Sequence, residues 1–254
     1  MLELADAVAC EDTRHSQALL RAYGIAKAPG QLLAAHQHNE AEAAEALVAR
    51  LRAGQRIAYV SDAGTPAVSD PGARLVAAAR AAGLPMVPVP GASSVTAALS
   101  AAGLVEEGGF VFAGFLPAKA GERAAAVQAL AGEARATVLL ESPHRIAALA
   151  EALAALGPRP LTVARELTKQ FEEIATLACA ALPGWLAAQP QRLRGEFVLV
   201  LHPAPASAET GFDQRVLVLL LAELPLKTAV RLAAEITGAP RNALYEAALA
   251  LKKG

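Results

Sequence analysis

Five short polar stretches carry the residues able to do chemistry in this chain: residues 10–15 (CEDTRH), 35–40 (AHQHNE), 61–66 (SDAGTP), 90–94 (PGASS) and 141–145 (ESPHR). The fullest is residues 61–72, SDAGTPAVSDPG. Its small side chains let a ligand approach the backbone, Gly64 and Gly72 can take positive φ, and Asp62 can accept bonds from a hydroxyl or an ammonium. The competing reading is a turn in which an aspartate caps the next helix. Residues 90–94 repeat the design: Ser93 or Ser94 can cap a helix, while Gly91 and Ala92 leave its N-terminus open to a ligand. Glycine-rich phosphate loops, HExxH and paired CxxC motifs are absent. His36 and His38 stand two apart without further ligands nearby, so no metal centre is expected. Ser61–Asp62 and Ser69–Asp70 lack the flanking glycines of a nucleophile elbow, which argues against a serine hydrolase.

The elements that must position these loops are legible from apolar periodicity. Short apolar runs predict strands at residues 7–10, 31–35, 57–60, 86–89, 137–140, 161–164 and 195–201. Helical spacing predicts helices at residues 16–24, 41–52, 73–83 and 95–104, and another from about Lys119. A further helix follows Ser142 as N-cap with Pro143 in its first turn. Strands alternating with helices predict an α/β protein in two sheets. The expected domains are residues 1–108 and 109–204, joined near residues 104–109 (LVEEGG), then a linker and helical tail at 205–254. In open parallel sheets, strand-end loops are where ligands bind.

The tail holds two amphipathic segments broken at Thr237–Gly238, which suits a helix-turn-helix and equally a packing hairpin. Its basic excess is slight, six Lys/Arg against four Asp/Glu over residues 213–254. The chain is 54% apolar with a net charge of −1. Its strongest apolar run, residues 216–222, is far short of the roughly 18 to 20 residues that span a bilayer. No signal peptide opens the chain, and Cys10 and Cys179 suit neither a disulfide framework nor a zinc site. A soluble cytoplasmic protein with no membrane contact is expected.

CEDTRHSQALLRAYGI, HQHNE, VSDAGTPAVSDPG, VPGASSVTAALSAAGL, FAGFLP, ESPHR, ARELTKQFEE and RGEFVLVL occur in this order. With the LPLKTAVRLAAEITGAPRNALYEAAL tail, they resemble the small-subunit rRNA ribose methyltransferases of the tetrapyrrole methylase superfamily over nearly the whole chain. The resemblance implies two α/β domains with a cofactor cleft between them, a C-terminal helical extension and a homodimer. It implies transfer of a methyl group from S-adenosylmethionine to the 2′-hydroxyl of a cytidine in small-subunit rRNA, free or in the small ribosomal subunit. By matched motif, Asp62, Ala63, Gly64, Thr65, Pro66, Ser93 and Ser94 line the cofactor site. Leu140, Ala164 and Glu196 close it from the second domain. One departure stands out: in the family a first strand and a Pro-Ile-Gly-Asn-type loop precede the EDTR motif, whereas here Met1 falls after that loop. The strand at residues 7–10 is therefore expected to lack a neighbour. The FLPAKAGERAAA stretch is also less basic than the family's FLPRKKGER.

A ribose hydroxyl is a poor nucleophile at neutral pH, so a base should assist. Glu11, Asp12, His15 and Glu166 are the strand-end groups able to serve. Arg14, Arg145, Arg165 and Lys169 are the cations able to hold RNA phosphates, and each could instead be a structural ion pair. Two other readings remain open at this point, a methylase of a small tetrapyrrole and a non-catalytic cofactor- or RNA-binding remnant.

Overall fold

The computed structural model describes residues 1–36, 38–105, 108–204 and 214–251. The chain opens with β1 (Ala7–Cys10), α1 (Thr13–Ala22), β2 (Leu32–Ala34), α2 (Glu40–Arg52), β3 (Ile57–Val60), α3 (Ala73–Ala81) and α4 (Ser94–Ala101). The three strands form a parallel sheet in the order β2–β1–β3. β1 is its centre: Val8 lies opposite Leu32 on one side and Ala58 on the other. This corrects the expectation that β1 lacks a neighbour, because its partners come from later in the chain. All four of its residues are buried, and α2 and α3 cover one face of the sheet through Leu47 and Leu75.

Residues 86–89, expected as a strand, form none, and Val87 is 77% exposed. The apolar alternation there is interrupted by Pro85, Pro88 and Pro90, which supply no N–H for a ladder.

The second sheet follows from β4 (Phe110–Gly114), α5 (Ala120–Leu130), β5 (Ala136–Glu141), α6 (Ile146–Leu153), β6 (Pro160–Arg165), β7 (Glu173–Ala178), α7 (Leu182–Ala187) and β8 (Phe197–Leu201). Its order is β4–β5–β8–β6–β7, with β8 antiparallel to both neighbours. β7 was not foreseen: it is an edge strand of mixed exposure, with no clean apolar alternation to announce it. One face of this sheet is packed by α5, α6 and α7 through Val127, Ile146, Leu149, Leu153, Leu182 and Leu186. The other receives Val95 and Ala98 of α4. α4 stands before the expected junction at residues 104–109 and packs beyond it.

The helix after ESPHR begins later than expected. Arg145, not Ser142, is its N-cap. The Ser142 carbonyl accepts from Arg145 N and Ile146 N, so residues 142–145 make a turn first. Arg159, 4% exposed, donates to the carbonyls of Leu130, Ala131 and Glu133 at the end of α5 and to that of His202 after β8. The guanidinium thereby satisfies helix-end carbonyls that would otherwise be orphaned.

The tail comprises α8 (Gln214–Glu223), α9 (Leu226–Thr237) and α10 (Arg241–Leu251). Their buried residues meet one another: Leu217, Val230, Ala233, Leu244 and Ala248 form one core. α9 ends at Gly238 in the left-handed conformation, φ 71°, which turns the chain into α10. A core of its own distinguishes this tail from a hairpin packed on the body. Most of the expected linker lies outside the described residues. Among the described residues no helix is long and apolar enough to cross a membrane.

Candidate cofactor cleft

The loop at residues 61–72 leaves β3 and is held in place by polar bonds rather than by packing. The Ser61 hydroxyl donates to Ala63 O at 3.2 Å, and Tyr59 OH donates to Pro71 O at 2.6 Å. Glu40 Oε1 accepts from Gly72 N (2.8 Å) and Arg74 N (3.0 Å), capping α3 from the neighbouring helix. Gly72 sits at φ +128°, and a Cβ there would stand 2.3 Å from the Tyr59 ring, so glycine is required. Ala67 is also held at positive φ, 64°. The outcome is an offered surface: Asp62, Ala63, Gly64 and Thr65 are exposed and Pro66 is half-buried.

Thr65 joins this loop to the next. Its hydroxyl donates to Ala92 O at 2.9 Å. Ser93 is the N-cap of α4 and makes no side-chain capping bond; Ser94 is exposed in the first turn. The 61–66 and 90–94 loops thus form one continuous edge of small residues.

Glu11 leaves β1 beside this edge, since Cys10 lies opposite Val60. Its Oε1 is buried without a hydrogen-bond partner. Burial raises its carboxyl pKa, the Asp70 and Asp62 charges add to the rise, and the Asp62 N–H opposes it. Asp70 is raised in the same way, by burial first, with the Asp62 and Glu196 charges adding to the rise and the nearby Ser61 hydroxyl opposing it. Asp12 is differently employed. It caps α1 through Arg14 N (2.8 Å) and His15 N (3.4 Å) and pairs with the Arg14 guanidinium at 3.0 Å, which holds its carboxyl at about 2. His15 is exposed and lines a cavity of about 50 Å³ with Ser16, Ser61 and Asp62.

The residues expected to close the site from the second domain fall largely in one row of the second sheet. Leu140, Val198 and Ala164 are in register across β5, β8 and β6 and lie beneath α4. Ala164 is fully buried and Leu140 half-buried. Glu196, exposed before β8, is near enough to Asp70 for its charge to act there. Lys169 Nζ donates to Glu166 Oε1 (2.9 Å) and Glu196 Oε2 (3.0 Å), and Glu166 Oε1 also accepts Glu196 N. These bonds lower the Glu166 pKa and raise that of Lys169. A Cβ at Gly195 would meet Glu166 Cγ at 2.3 Å, so the network needs glycine there. Glu166 and Thr168 hold φ of 53° and 66°. Among the described residues, the non-glycine positive φ values fall only in this loop and the 61–72 loop. Such strain persists where surrounding structure over-determines it, and it gathers at functional sites.

The four cations are not gathered on one surface. Arg14 is exposed in the first turn of α1. Arg145 pairs with buried Glu141 at 3.2 Å and donates to Leu116 O. Arg165 is 6% exposed, with its guanidinium on the carbonyls of Gln191, Arg194 and Phe171 and on Glu173. Lys169 is half-exposed within its carboxylate network. Sequence reasoning gave Asp70 no role in the site, although its place in SDPG was visible. A cavity of about 370 Å³ lies by Arg159 and His202 at the opposite end of the second sheet, with the guanidinium already engaged. Among the described residues no cluster of His, Cys, Asp or Glu could hold a metal.

The donor set suits a cationic amino-acid nucleoside. Carboxylates offer acceptors for an ammonium and for hydroxyls, and the charged neighbours acting on Glu11 are anionic, so a sulfonium would face no buried cation.

Comparison with known proteins agrees. The profile for Tetrapyrrole (Corrin/Porphyrin) Methylases matches residues 1–182, and that for the RsmI C-terminal HTH domain matches residues 205–252. The chain is 48% identical over 251 residues to the ribosomal RNA small subunit methyltransferase I of Pseudomonas aeruginosa, covering 95% of this chain and 86% of that one. It is 45% identical over 253 residues to the protein of the same name from Escherichia coli O157:H7, covering 98% and 87%. Among solved structures, uroporphyrin-III-C-methyltransferase from Thermus thermophilus superposes with a TM-score of 0.52 at 26% identity, covering 79% of this chain and 84% of that one. A cobalt precorrin-4 methyltransferase gives 0.52 at 20%, covering 78% and 84%, and shows the fold alone. The chain belongs to the tetrapyrrole methylases and, within them, to the ribosomal RNA small subunit methyltransferase I family.

Proposed function

We propose that this chain uses S-adenosylmethionine to methylate the ribose 2′-hydroxyl of a cytidine in small-subunit rRNA, acting in the cytoplasm as a homodimer. The observation that carries this reading is the paired small-residue edge, 61–66 joined to 90–94 through Thr65 and Ala92, set beside the Glu11–Asp62–Asp70 carboxylates. The bound cofactor supplies a methyl group on a positively charged sulfur.

The chain's own contribution is placement. Asp62 offers acceptors for the cofactor's polar groups, and the Ala63–Gly64 backbone admits it closely. Ser93 and Ser94 meet it from the second loop, and the Leu140–Ala164 row with Glu196 bounds it from below. Holding two reactants in line in this way can contribute several kcal/mol. The tail, with a core of its own, is suited to holding RNA without burdening the cleft. A small-tetrapyrrole substrate is not favoured: the relatives at 45–48% identity carry the rRNA name, while tetrapyrrole enzymes match at 20–26%.

The test uses methyl-labelled S-adenosylmethionine and small ribosomal subunits that lack the modification. Nuclease digestion should release labelled 2′-O-methylcytidine. Deleting residues 206–254 should abolish this transfer while cofactor binding persists. Label on a base, or none on the rRNA, would refute the assignment.

A further inference from the structure

We infer that the Phe171 ring is a fixed stacking platform for a base of the substrate RNA, held beside the cofactor cleft by the buried Arg165 guanidinium. This rests on the methyl-transfer reading above and deepens it by naming a residue that places the acceptor strand.

The loop of residues 166–172 joins β6 to β7, and Arg165 and Glu173 close it as an opposed pair of the ladder. Its two apolar side chains that flank the turn have opposite fates. Leu167 packs against the cluster formed by Ala164, Val198 and Val95 of α4, which ties the loop to the helix that the 90–94 edge begins. Phe171, four residues on, is 66% exposed.

Apolar side chains scattered singly over a surface need no explanation. What sets Phe171 apart is how firmly its backbone is fixed. Arg165 Nη2 donates to Phe171 O at 3.1 Å and to Glu173 Oε2 at 3.5 Å, and Nη1 donates to Gln191 O and Arg194 O. Thr168 N donates to Glu172 Oε2 at 2.6 Å, Lys169 N to Glu166 O at 3.0 Å and Glu172 N to Lys169 O at 3.1 Å. Glu166 and Thr168 are held at positive φ, a strain that persists only where surrounding bonds over-determine it. A ring on so fixed a backbone gives up little freedom when a flat partner covers it, so it is organised for binding in advance.

The chemistry of the partner follows from what stands with the ring. The guanidinium that holds Phe171 O also holds Arg194 O, and the Arg194 side chain is exposed. One clasp therefore presents an aromatic face and a cation. A ligand that meets both offers a flat π-face and a negative charge, which describes a nucleotide of an unpaired RNA segment. Stacking holds a base by its face whatever its identity. The platform thus positions the strand at the cleft rather than reading its sequence.

The experiment compares wild type with Phe171→Ala, Phe171→Leu and Phe171→Tyr. Phe110→Ala serves as control, because Phe110 is also exposed, at 48%, but starts β4 and so stands at the opposite end of the sheet. The readouts are kcat and KM for unmodified small ribosomal subunits, binding of the same subunits without turnover, calorimetric titration with S-adenosylmethionine, Tm and sedimentation velocity. Phe171→Ala and Phe171→Leu should both raise KM and weaken subunit binding roughly five- to hundredfold, with cofactor affinity and Tm kept. Phe171→Tyr should restore wild-type values, and Phe110→Ala should match wild type. A Phe171→Leu protein that binds subunits as wild type does would overturn the proposal, since apolar bulk without a π-face would then suffice. Equal loss in Phe110→Ala, or no rescue by tyrosine, would overturn it too. So would a lighter sedimenting species in Phe171→Ala, which would place the ring between two copies of the chain. A wild type that binds cofactor and subunits yet transfers no methyl group would sink the methyl-transfer reading, while subunit binding by the same variants would still decide the role of Phe171.

Discussion

The two sheets of this molecule are built to different standards. The second has a thick core in which Leu139, Ile146, Leu149, Leu153, Leu161 and Phe197 are all at most 1% exposed. The first rests on Ala9, Ala35, Ala44, Leu47 and Leu75, and its strand β3 is only half-buried along its length. The loops that carry the carboxylates grow from the thinner sheet. What fixes them is a set of directed bonds from Glu40, Tyr59, Ser61 and Thr65. The balance therefore differs: the second sheet supplies most of the burial, while the first gives its strand ends mainly to anionic and exposed groups.

The difference can be broken by equal truncations on each side. Leu149→Ala, at a fully buried position of α6, should cost toward the upper end of the roughly 2–5 kcal/mol seen for such changes. Leu47→Ala, 8% exposed among alanines, should lie near the lower end. Denaturant unfolding with an unchanged m-value checks both, and equal losses would deny the contrast.

A smaller effect of opposite sign sharpens it. Asp70 has a folded pKa raised by burial, so its unfolded form releases the proton first as pH rises. The favourable contribution is complete below the unfolded value, near pH 4, and is lost as pH rises through the folded value. At pH 7 the half-buried charge is a net liability. Asp70→Asn should raise Tm at pH 7, and that gain should vanish below about pH 4. A fall in Tm at pH 7 would show that Asp70 stabilises the loop instead.

Much of this was legible in the sequence, for reasons tied to particular residues. β1 and β3 were placed at their observed bounds because β-branched and small apolar residues end sharply at Glu11 and Ser61. The alternation at residues 86–89 misled because prolines stand within it. The ESPHR helix start misled because a turn on the Ser142 carbonyl precedes the helix. Asp70 stayed hidden since the groups that act on it, Ser61 and Glu196, are brought near by loop closure and by the meeting of two sheets. Arg165 read equally as a phosphate-holding cation and as a structural ion pair, and only the fold shows its guanidinium wired to three carbonyls and Glu173.

The claim that the 61–66 edge holds the cofactor, apart from the stabilising core, is tested most directly by calorimetric titration of wild type and Asp62→Ala with S-adenosylmethionine, alongside their melting temperatures. Asp62 is exposed and on a loop, so the account predicts at least about tenfold weaker binding in the variant, with Tm essentially unchanged. Equal affinity in the two proteins would contradict it.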